Sequence, residues 1–136
     1  MFGRRILIVV GITVGLAASA WGQTFSVLYN FAGGTADGAS PYGSLTAVGS
    51  TLFGMTSAGG TGDYGTIFSF NTVNNAESVV HDFGDSLTDG VDPQGSLLQS
   101  STSNSTLYGM TLGGGDGSGV IFSFDTGVLR PENVPT

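Results

Sequence analysis

Four carboxylates stand within eleven residues of the sequence and form its most suggestive candidate site. They are Asp82, Asp85, Asp89 and Asp92. Carboxylates at this density in a loop can surround a Ca²⁺ ion with oxygen ligands. A similar stretch earlier in the chain keeps only Asp37, although a metal that the fold requires should recur in both stretches. We therefore expect solvated turn aspartates, keep the four residues as calcium candidates and expect no other cofactor.

Two glycine-rich loops resemble a second kind of calcium site. Residues 59–65 read GGTGDYG and residues 114–119 read GGDGSG, which partly match the calcium-binding nonapeptide G-G-x-G-x-D-x-U-x. The register fails in both loops, because Asp63 comes one position early and Gly119 stands where the motif needs an aspartate. Neither loop leads into a lysine and a helix, as a phosphate-binding loop does. We expect these glycines to form turns with positive φ.

Catalytic arrangements find little support in the sequence. His81 is the only histidine, and it occupies an alternating strand position that matches Tyr29, which favours a structural role over a Ser/His/Asp arrangement. A glycosidase pair of carboxylates is a further option. Asp37 and Asp89, however, belong to Asp-Gly turns just ahead of prolines, where the side chain commonly bonds its own backbone. We predict a non-enzymatic protein without catalytic residues.

Aromatic side chains could offer platforms for sugar rings. Trp21 lies beside the N-terminal apolar segment, and Tyr42 is replaced by Gln94 in the second stretch of similar sequence. Carbohydrate binding is therefore an alternative to the leading hypothesis. The glycosylation sequon at Asn104 is expected to be a polar hairpin tip.

Residues 1–22 have the pattern of a signal peptide. Arg4 and Arg5 precede an apolar run at residues 6–20 that ends in small residues, and cleavage after Ala20 or after Gly22 would fit. An uncleaved membrane anchor is the alternative, but the run is shorter than the roughly 20 apolar residues that span a bilayer. We expect export to the cell envelope or the extracellular space.

The rest of the chain is strongly acidic and contains no cysteine. It has one basic residue, Arg130, against ten aspartates and glutamates. Such a surface repels phosphate backbones and anionic lipid, so we expect no nucleic-acid partner and no membrane association after signal cleavage. Without cysteine the chain has no disulfide framework and no thiol nucleophile. Stability must therefore come from a packed core or from assembly.

Most of the chain from residue 25 to residue 125 is one pattern stated twice. Asp-Gly, Pro and Gly-Ser-Leu recur at an offset of 52, L-[FY]-G-M-T recurs at 55 and I-F-S-F recurs at 54. Within each copy apolar residues alternate between turn residues, which is typical of strands. The predicted strands span residues 25–31, 43–48, 51–56 and 65–70, and then 77–83, 95–100, 106–111 and 119–124.

The sequence thus predicts an all-β repeat domain at residues 23–126, followed by a C-terminal tail at 127–136. Unit 1 covers about 25–74 and unit 2 about 77–125, and each is predicted to be a four-stranded antiparallel unit of about 52 residues, near the size of a β-propeller blade. Propellers normally use roughly four to eight blades. Two blades could belong to a longer array, share a ring with other copies, or pack as a small sandwich.

The order of the repeated motifs resembles that of a family of exported bacterial proteins. D-G-x-x-P-x-G-x-L, L-[FY]-G-x-T, Gly-Gly and G-x-[IV]-F-S-F follow one another as in the choice-of-anchor tandem repeat GloVer-containing proteins. The first unit carries the motif on Asp37, Gly38, Pro41, Leu45, Leu52, Phe53, Gly54, Thr56, Gly59, Gly60, Gly65 and Phe68. The second carries it on Asp89, Gly90, Pro93, Leu97, Leu107, Tyr108, Gly109, Thr111, Gly114, Gly115, Gly119 and Phe122.

Two features depart from the family pattern. Met55 and Met110 stand where the family more often has threonine, and the last ten residues do not resemble an anchoring segment. The resemblance implies an exported, propeller-like repeat protein and brings no established activity with it.

We predict a secreted or envelope-located module that acts as a structural or interaction surface, with another copy or another envelope protein as partner. The alternative is a carbohydrate-binding or carbohydrate-cleaving exoprotein. A sugar site should place exposed aromatics and two carboxylates in one cleft, whereas a structural module should show turn-bound aspartates.

Overall fold

The structure is a computed structural model that describes residues 22–84 and 88–127. Every helix or strand in these residues is a β-strand, so the all-β prediction is confirmed. Across the described part of the chain, no helix is long and apolar enough to cross a membrane. Residues 1–21 of the predicted signal peptide and residues 128–136 of the predicted tail lie outside the described residues.

The first sheet is a four-stranded antiparallel meander. Its strands are β1 (Gly38–Val48), β2 (Thr51–Gly59), β3 (Thr66–Asn71) and β4 (Ala76–Asp82), in the order β1-β2-β3-β4. A two-residue turn joins β1 to β2, and Gly49 supplies the positive φ of 61° that such a turn needs. The pairing of β1 with β2 is interrupted by a bulge between Tyr42 and Thr46.

The second sheet repeats the first, with two differences. Its strands are β5 (Gly90–Pro93), β6 (Leu98–Gln99), β7 (Thr106–Gly114) and β8 (Ile121–Asp125). β5 and β6 both pair with β7 and take the place of the two ends of β1, while β8 pairs with β7 as β3 pairs with β2. Among the described residues no strand takes the place of β4, so the outer edge of β8 has no strand beside it.

Four of the predicted strands need correction. The strand predicted at 43–48 corresponds to β1, which begins earlier, at Gly38. Residues 25–31 form no strand, because a strand needs a neighbour for its backbone groups and no described strand lies beside them. The predicted strand at 77–83 corresponds to β4, which pairs with β3 and completes the first sheet, so the sheets are displaced by one strand from the sequence units. Of the strand predicted at 95–100, only β6 (Leu98–Gln99) is present.

The shortening of that strand has a local cause. Pro93 is the last residue of β5 that pairs with β7, and Gly95, two residues later, has a φ of 117°, outside the range of a regular strand. The pairing therefore resumes only at Leu98, and the preceding residues form the unpredicted strand β5.

The hydrophobic core lies between the two sheets. Phe53, Met55 and Ile67 share one side of β2 and β3, which we call the inner face of the first sheet. Opposite them lies the covered face of the second sheet, formed by Leu97, Leu107, Phe122 and Phe124. The ring centroids of Phe53 and Phe124 are 6.4 Å apart. Phe83, which follows β4, packs edge-to-face on Phe122 at 5.3 Å.

The two sheets present different sides to each other. The residues of the second sheet that match the inner face are Tyr108, Met110 and Ile121, and they lie on the opposite side of that sheet, which we call its open face. The packing is therefore head-to-tail, since one surface of the first unit meets a different surface of the second. Successive blades of a propeller pack in this order, whereas a two-fold symmetric contact would use the same surface twice.

Candidate functional site

Asp37 and Asp89 organise the same turn in the two repeats. Asp37 accepts hydrogen bonds from the backbone N–H of Ala32 at 2.6 Å and of Gly38 at 2.7 Å. Asp89 accepts from Gly84 at 3.0 Å and from Gly90 at 2.9 Å. Both carboxylates thus hold the chain where it enters a sheet.

Each of these aspartates also contacts an aromatic side chain at the matching position. The Tyr29 hydroxyl donates to Asp37 at 3.0 Å, and His81 Nε2 lies 3.4 Å from Asp89 Oδ2. Tyr29 and His81 each pack edge-to-face on the phenylalanine two residues later, with centroids 5.2 and 4.8 Å apart. His81 therefore occupies the place of a tyrosine, as its sequence position predicts.

The remaining calcium candidates take part in separate contacts. Asp82 Oδ2 accepts from Thr61 at 3.2 Å, Asp92 accepts from Gln94 at 3.2 Å, and Asp85 lies outside the described residues. In residues 22–84 and 88–127 no three acidic, histidine or cysteine side chains are placed to hold a metal ion. The calcium site stays a prediction.

The glycine-rich loops are tight turns that close on their own backbone. Asp63 accepts a hydrogen bond from the Gly59 N–H at 2.7 Å, inside the loop rather than towards an ion. Gly65 and Gly119 have φ values of 95° and 88°, and a Cβ on either would lie 2.3 Å from the carbonyl oxygen of a threonine in the adjacent strand. The close approach of two backbones accounts for these two glycines.

A groove on the outside of the first sheet was not predicted from the sequence. It has a volume of about 380 Å³ and lies on the side of β2 and β3 opposite the inner face. We call this side the groove face; Leu45, Leu52, Phe68 and Phe70 line it. Residues 25–31 border the groove, and Phe31 packs edge-to-face on Phe68 with ring centroids 4.8 Å apart. The sequence did not predict this groove, because the alternation of apolar residues assigned the segment that borders it, residues 25–31, to a paired strand.

One carboxylate lines this groove among the described residues, that of Glu77. Its Oε1 is buried without a hydrogen-bond partner, and the Tyr29 hydroxyl donates to Asp37. Burial raises the pKa of Glu77, the nearby Tyr29 hydroxyl acts in the opposite direction, and the charge of Asp37 raises it again. Loss of solvation, followed by the hydrogen bond to Asp37, raises the pKa of Tyr29 to about 12.

The predicted sugar platforms are only partly placed. Tyr42 lines the groove and is exposed, whereas Trp21 lies outside the described residues. Asn104 stands in the turn between β6 and β7, where its carbonyl oxygen accepts from Gln99 at 2.9 Å. The groove therefore combines aromatic side chains with one carboxylate rather than two.

A smaller groove lies on the open face of the second sheet. Its volume is about 240 Å³, and Leu98, Tyr108, Met110 and Ile121 line it. All four side chains are exposed. Beside the first groove Phe68 and Phe70 are buried while Leu45 and Tyr42 are exposed. Each end of the two-sheet stack thus carries exposed apolar side chains, and single-domain proteins seldom expose contiguous apolar surface without a use for it.

Head-to-tail sheets, turn-bound aspartates and repeated strand registers define an all-β repeat protein of two stacked antiparallel sheets, an arrangement that fits either a partial propeller or a small sandwich. The family model of the Gloeobacter/Verrucomicrobia repeat matches residues 13–132. The chain belongs to this repeat family, as the order of its motifs predicts. No curated protein and no solved structure matches it.

Proposed function

We propose that this protein is an exported, non-enzymatic repeat module that works by contact through its two uncovered apolar surfaces. The observation that carries the proposal is the exposure of Tyr108, Met110 and Ile121, whose counterparts in the first unit form the core. Similar apolar residues at the same repeat positions are buried in the first unit, where the second sheet covers them. The open face therefore has the composition of an interface.

The carboxylates support the same proposal. Asp37 and Asp89 are held by backbone N–H groups, so their lone pairs serve the turns. A retaining or inverting glycosidase needs two carboxyl groups facing one bond, roughly 5 to 9.5 Å apart. The groove offers Glu77 alone among the described residues that line it.

The native size of the protein in the producing cells tests this proposal. Wild type is expected in a complex larger than one chain in the envelope or culture fluid, and the double variant M110S/I121S in a smaller one. Val73→Ser is the matched control, because Val73 is as exposed as Ile121 but lies in the β3–β4 turn, away from either face. Complexes of unchanged size in M110S/I121S would contradict the proposal.

Carbohydrate binding is the second candidate, and the groove itself favours it. Tyr42 and Tyr29 border an apolar depression beside Glu77, and sugar rings stack on such aromatic faces. Binding should then be lost in Tyr42→Ala on a polysaccharide panel. Release of reducing ends that disappears in Glu77→Gln would identify a hydrolase and overturn the non-enzymatic proposal.

A further inference from the structure

Three matching positions of the two sheets differ in whether the other sheet covers them. Phe53, Met55 and Ile67 are 3, 2 and 1% exposed on the inner face, whereas Tyr108, Met110 and Ile121 are 43, 60 and 80% exposed on the open face. In the first unit these side chains rest on the covered face of the second sheet. Within the described residues, no sheet covers the open face as the second sheet covers the inner face.

A surface that could cover the open face is present at the other end of the same molecule. The covered face of the second sheet corresponds to the groove face of the first, and Leu97 is 4% exposed where the matching Leu45 is 54% exposed. Leu97 is buried because the first sheet lies over it. The groove beside Leu45 is therefore the place that an open face would fill.

Among the described residues no strand lies beside the outer edge of β8, but an earlier segment of the sequence matches β4, the strand that occupies this edge in the first sheet. β4 pairs with β3 through Phe68↔Val79, Ser69↔Ser78 and Phe70↔Glu77. β8 matches β3 at an offset of 54, and residues 24–30 match β4 at an offset of 52. The matching pairs would be Phe122 with Val27, Ser123 with Ser26 and Phe124 with Phe25.

Residues 25–31 are already held at one end in the arrangement that β4 has. Phe31 packs on Phe68 as Phe83 packs on Phe122, and Tyr29 contacts Asp37 as His81 contacts Asp89. The preceding Phe25, Val27 and Leu28 are exposed and belong to no strand. Their composition is that of a strand whose pairing edge is unoccupied.

We propose that two copies of this chain join head-to-tail. The open face of one copy sits in the groove of the next, and residues 24–30 of the second copy pair with β8 of the first. This inference rests on the proposed contact function and names its partner. Both contacts repeat ones that the molecule already makes between its own sheets, so the intramolecular interface serves as the template.

The chain's own residues at the next repeat position are poorer candidates for the β8 edge. Residues 129–135 read LRPENVP, and their two prolines lack the N–H that a paired strand donates. Residues 25–31 read FSVLYNF and keep every donor. The sequence therefore favours residues 24–30 of a second copy.

A head-to-tail contact propagates, since each copy leaves one groove and one open face unused. If the rotation closes, about two to four copies would complete a ring of roughly four to eight blades. If it does not, the same contact produces an open filament. Both a single discrete mass, from a closed ring, and a broad distribution of masses, from filaments, would therefore agree with the proposed contact.

Light scattering on the purified protein over a concentration series measures the association. Wild type and the control Val73→Ser are expected above the mass of one chain. M110S/I121S is expected to raise the apparent dissociation constant at least tenfold while its far-ultraviolet spectrum stays that of wild type. A wild type that stays a monomer at millimolar concentration, or a double variant that associates as wild type does, overturns the proposal.

The pairing of β8 is tested separately with prolines. S26P/V27P removes two adjacent N–H groups from a segment that pairs with no described strand in the single chain, so its fold should persist while association weakens. The matched control S26T/V27T keeps the donors and should associate as wild type does. Equal association of both double variants would overturn the strand pairing.

Cysteine pairs establish the direction of the contact, because the natural chain has no cysteine. Protein carrying S26C is mixed with differently tagged protein carrying S123C and oxidised. The mixed disulfide is expected at least tenfold faster than with V73C in place of S123C, since directly opposed strand positions allow the bond. Equal rates for the two mixtures, or faster dimers in S26C alone, overturn the head-to-tail order.

Failure of this inference is distinguishable from failure of the proposed function. The purified protein could be monomeric while its cellular complexes still become smaller in M110S/I121S. This result would mean that another protein covers the two faces. It would overturn self-assembly and support the contact function. Cellular complexes of unchanged size would overturn the contact function itself. Two differently tagged copies recovered in one complex support both.

Discussion

The inner face of the first sheet and the open face of the second carry nearly the same side chains in opposite environments. Phenylalanine, methionine and isoleucine are buried in the first, while tyrosine, methionine and isoleucine face solvent in the second. The strand pairings beneath them agree, Met55↔Ile67 in one sheet and Met110↔Ile121 in the other. The pairing of these two strands is therefore the same, and their neighbours differ. The second sheet covers the inner face and β4 pairs with β3, whereas among the described residues neither neighbour has a counterpart at the open face.

This comparison shows that burial here is a property of position in the stack rather than of the repeat. The one difference in residue type, Phe53 against Tyr108, suits the more exposed site, because a tyrosine keeps a polar atom in contact with water. The hydrophobic core between two stacked sheets does not continue beyond the outermost sheet. Each end is then an apolar surface that a further sheet can cover.

Truncating the matching isoleucines should give the largest difference between the two faces. Ile67→Ala leaves a cavity in the core and is expected to lower the free energy of unfolding by about 2–5 kcal/mol. Ile121→Ala changes an exposed side chain and should cost less than about 0.5 kcal/mol in the dilute single chain. Urea unfolding at low micromolar concentration measures both, and equal losses would mean that the two faces are equally buried.

A second pair compares the faces on the other side of each sheet. Leu97→Ala is expected to cost about 2–4 kcal/mol, because the first sheet covers this residue, whereas Leu45→Ala should cost under about 1 kcal/mol. Assembly should change this result. At concentrations where copies associate, the cost of Leu45→Ala is expected to rise towards that of Leu97→Ala, and a cost independent of concentration would speak against a filled groove.

The two turn aspartates should differ by a smaller amount. Asp37→Ala removes the acceptor of two backbone N–H groups and of the Tyr29 hydroxyl, with an expected loss of about 2–3 kcal/mol. Asp89 is more exposed, so its replacement by alanine should cost about 1–2 kcal/mol. Thermal unfolding measures both, and Tyr29→Phe, which removes only the side-chain donor, is the control. Neutral effects at both aspartates would show that the turns hold without them.

The smallest effect is expected at Glu77. Its pKa is raised from the ordinary value by burial and by the charge of Asp37, so the folded protein binds this proton more tightly than the unfolded chain does. Stability from this group is therefore greatest at low pH and falls as the pH rises through the raised pKa. Glu77→Gln should raise the melting temperature slightly at pH 7 and give no gain well below the ordinary value of 4.5.

Partial contact with water limits the size of that gain to less than about 1 kcal/mol. Asp116→Asn removes a similar charge from an exposed turn of the second unit and is the control for the loss of net charge. A lower melting temperature for Glu77→Gln at neutral pH would mean that its ionised carboxylate stabilises the groove.

Much of the fold could be predicted from the sequence because it depends on local chemistry. Alternating apolar residues, Asp-Gly pairs and glycines with positive φ specify strands and turns within a few residues of themselves, so β2, β3, β7 and β8 appear close to their predicted bounds. The same locality explains the matching turns at Asp37 and Asp89. His81 could be placed by its match to Tyr29.

The errors occurred where a strand depends on a distant partner. Residues 25–31 have the composition of a strand, yet composition supplies no neighbour to accept their hydrogen bonds. β4 belongs to the sheet before it rather than to the unit that the sequence places it in. The groove could not be predicted for the same reason, since it is bounded by a sheet face and by a segment that lies beside it without pairing.

The sequence by itself determined that one unit occurs twice, that the fold is all-β and where the turns lie, because each of these depends on residues close together in the chain. Only the tertiary structure decided which face of each sheet is covered. A period of two places side chains on alternate sides of a strand but does not say which side meets a neighbour. That choice depends on how the sheets stack, and it leaves Tyr108, Met110 and Ile121 exposed where their counterparts form the core.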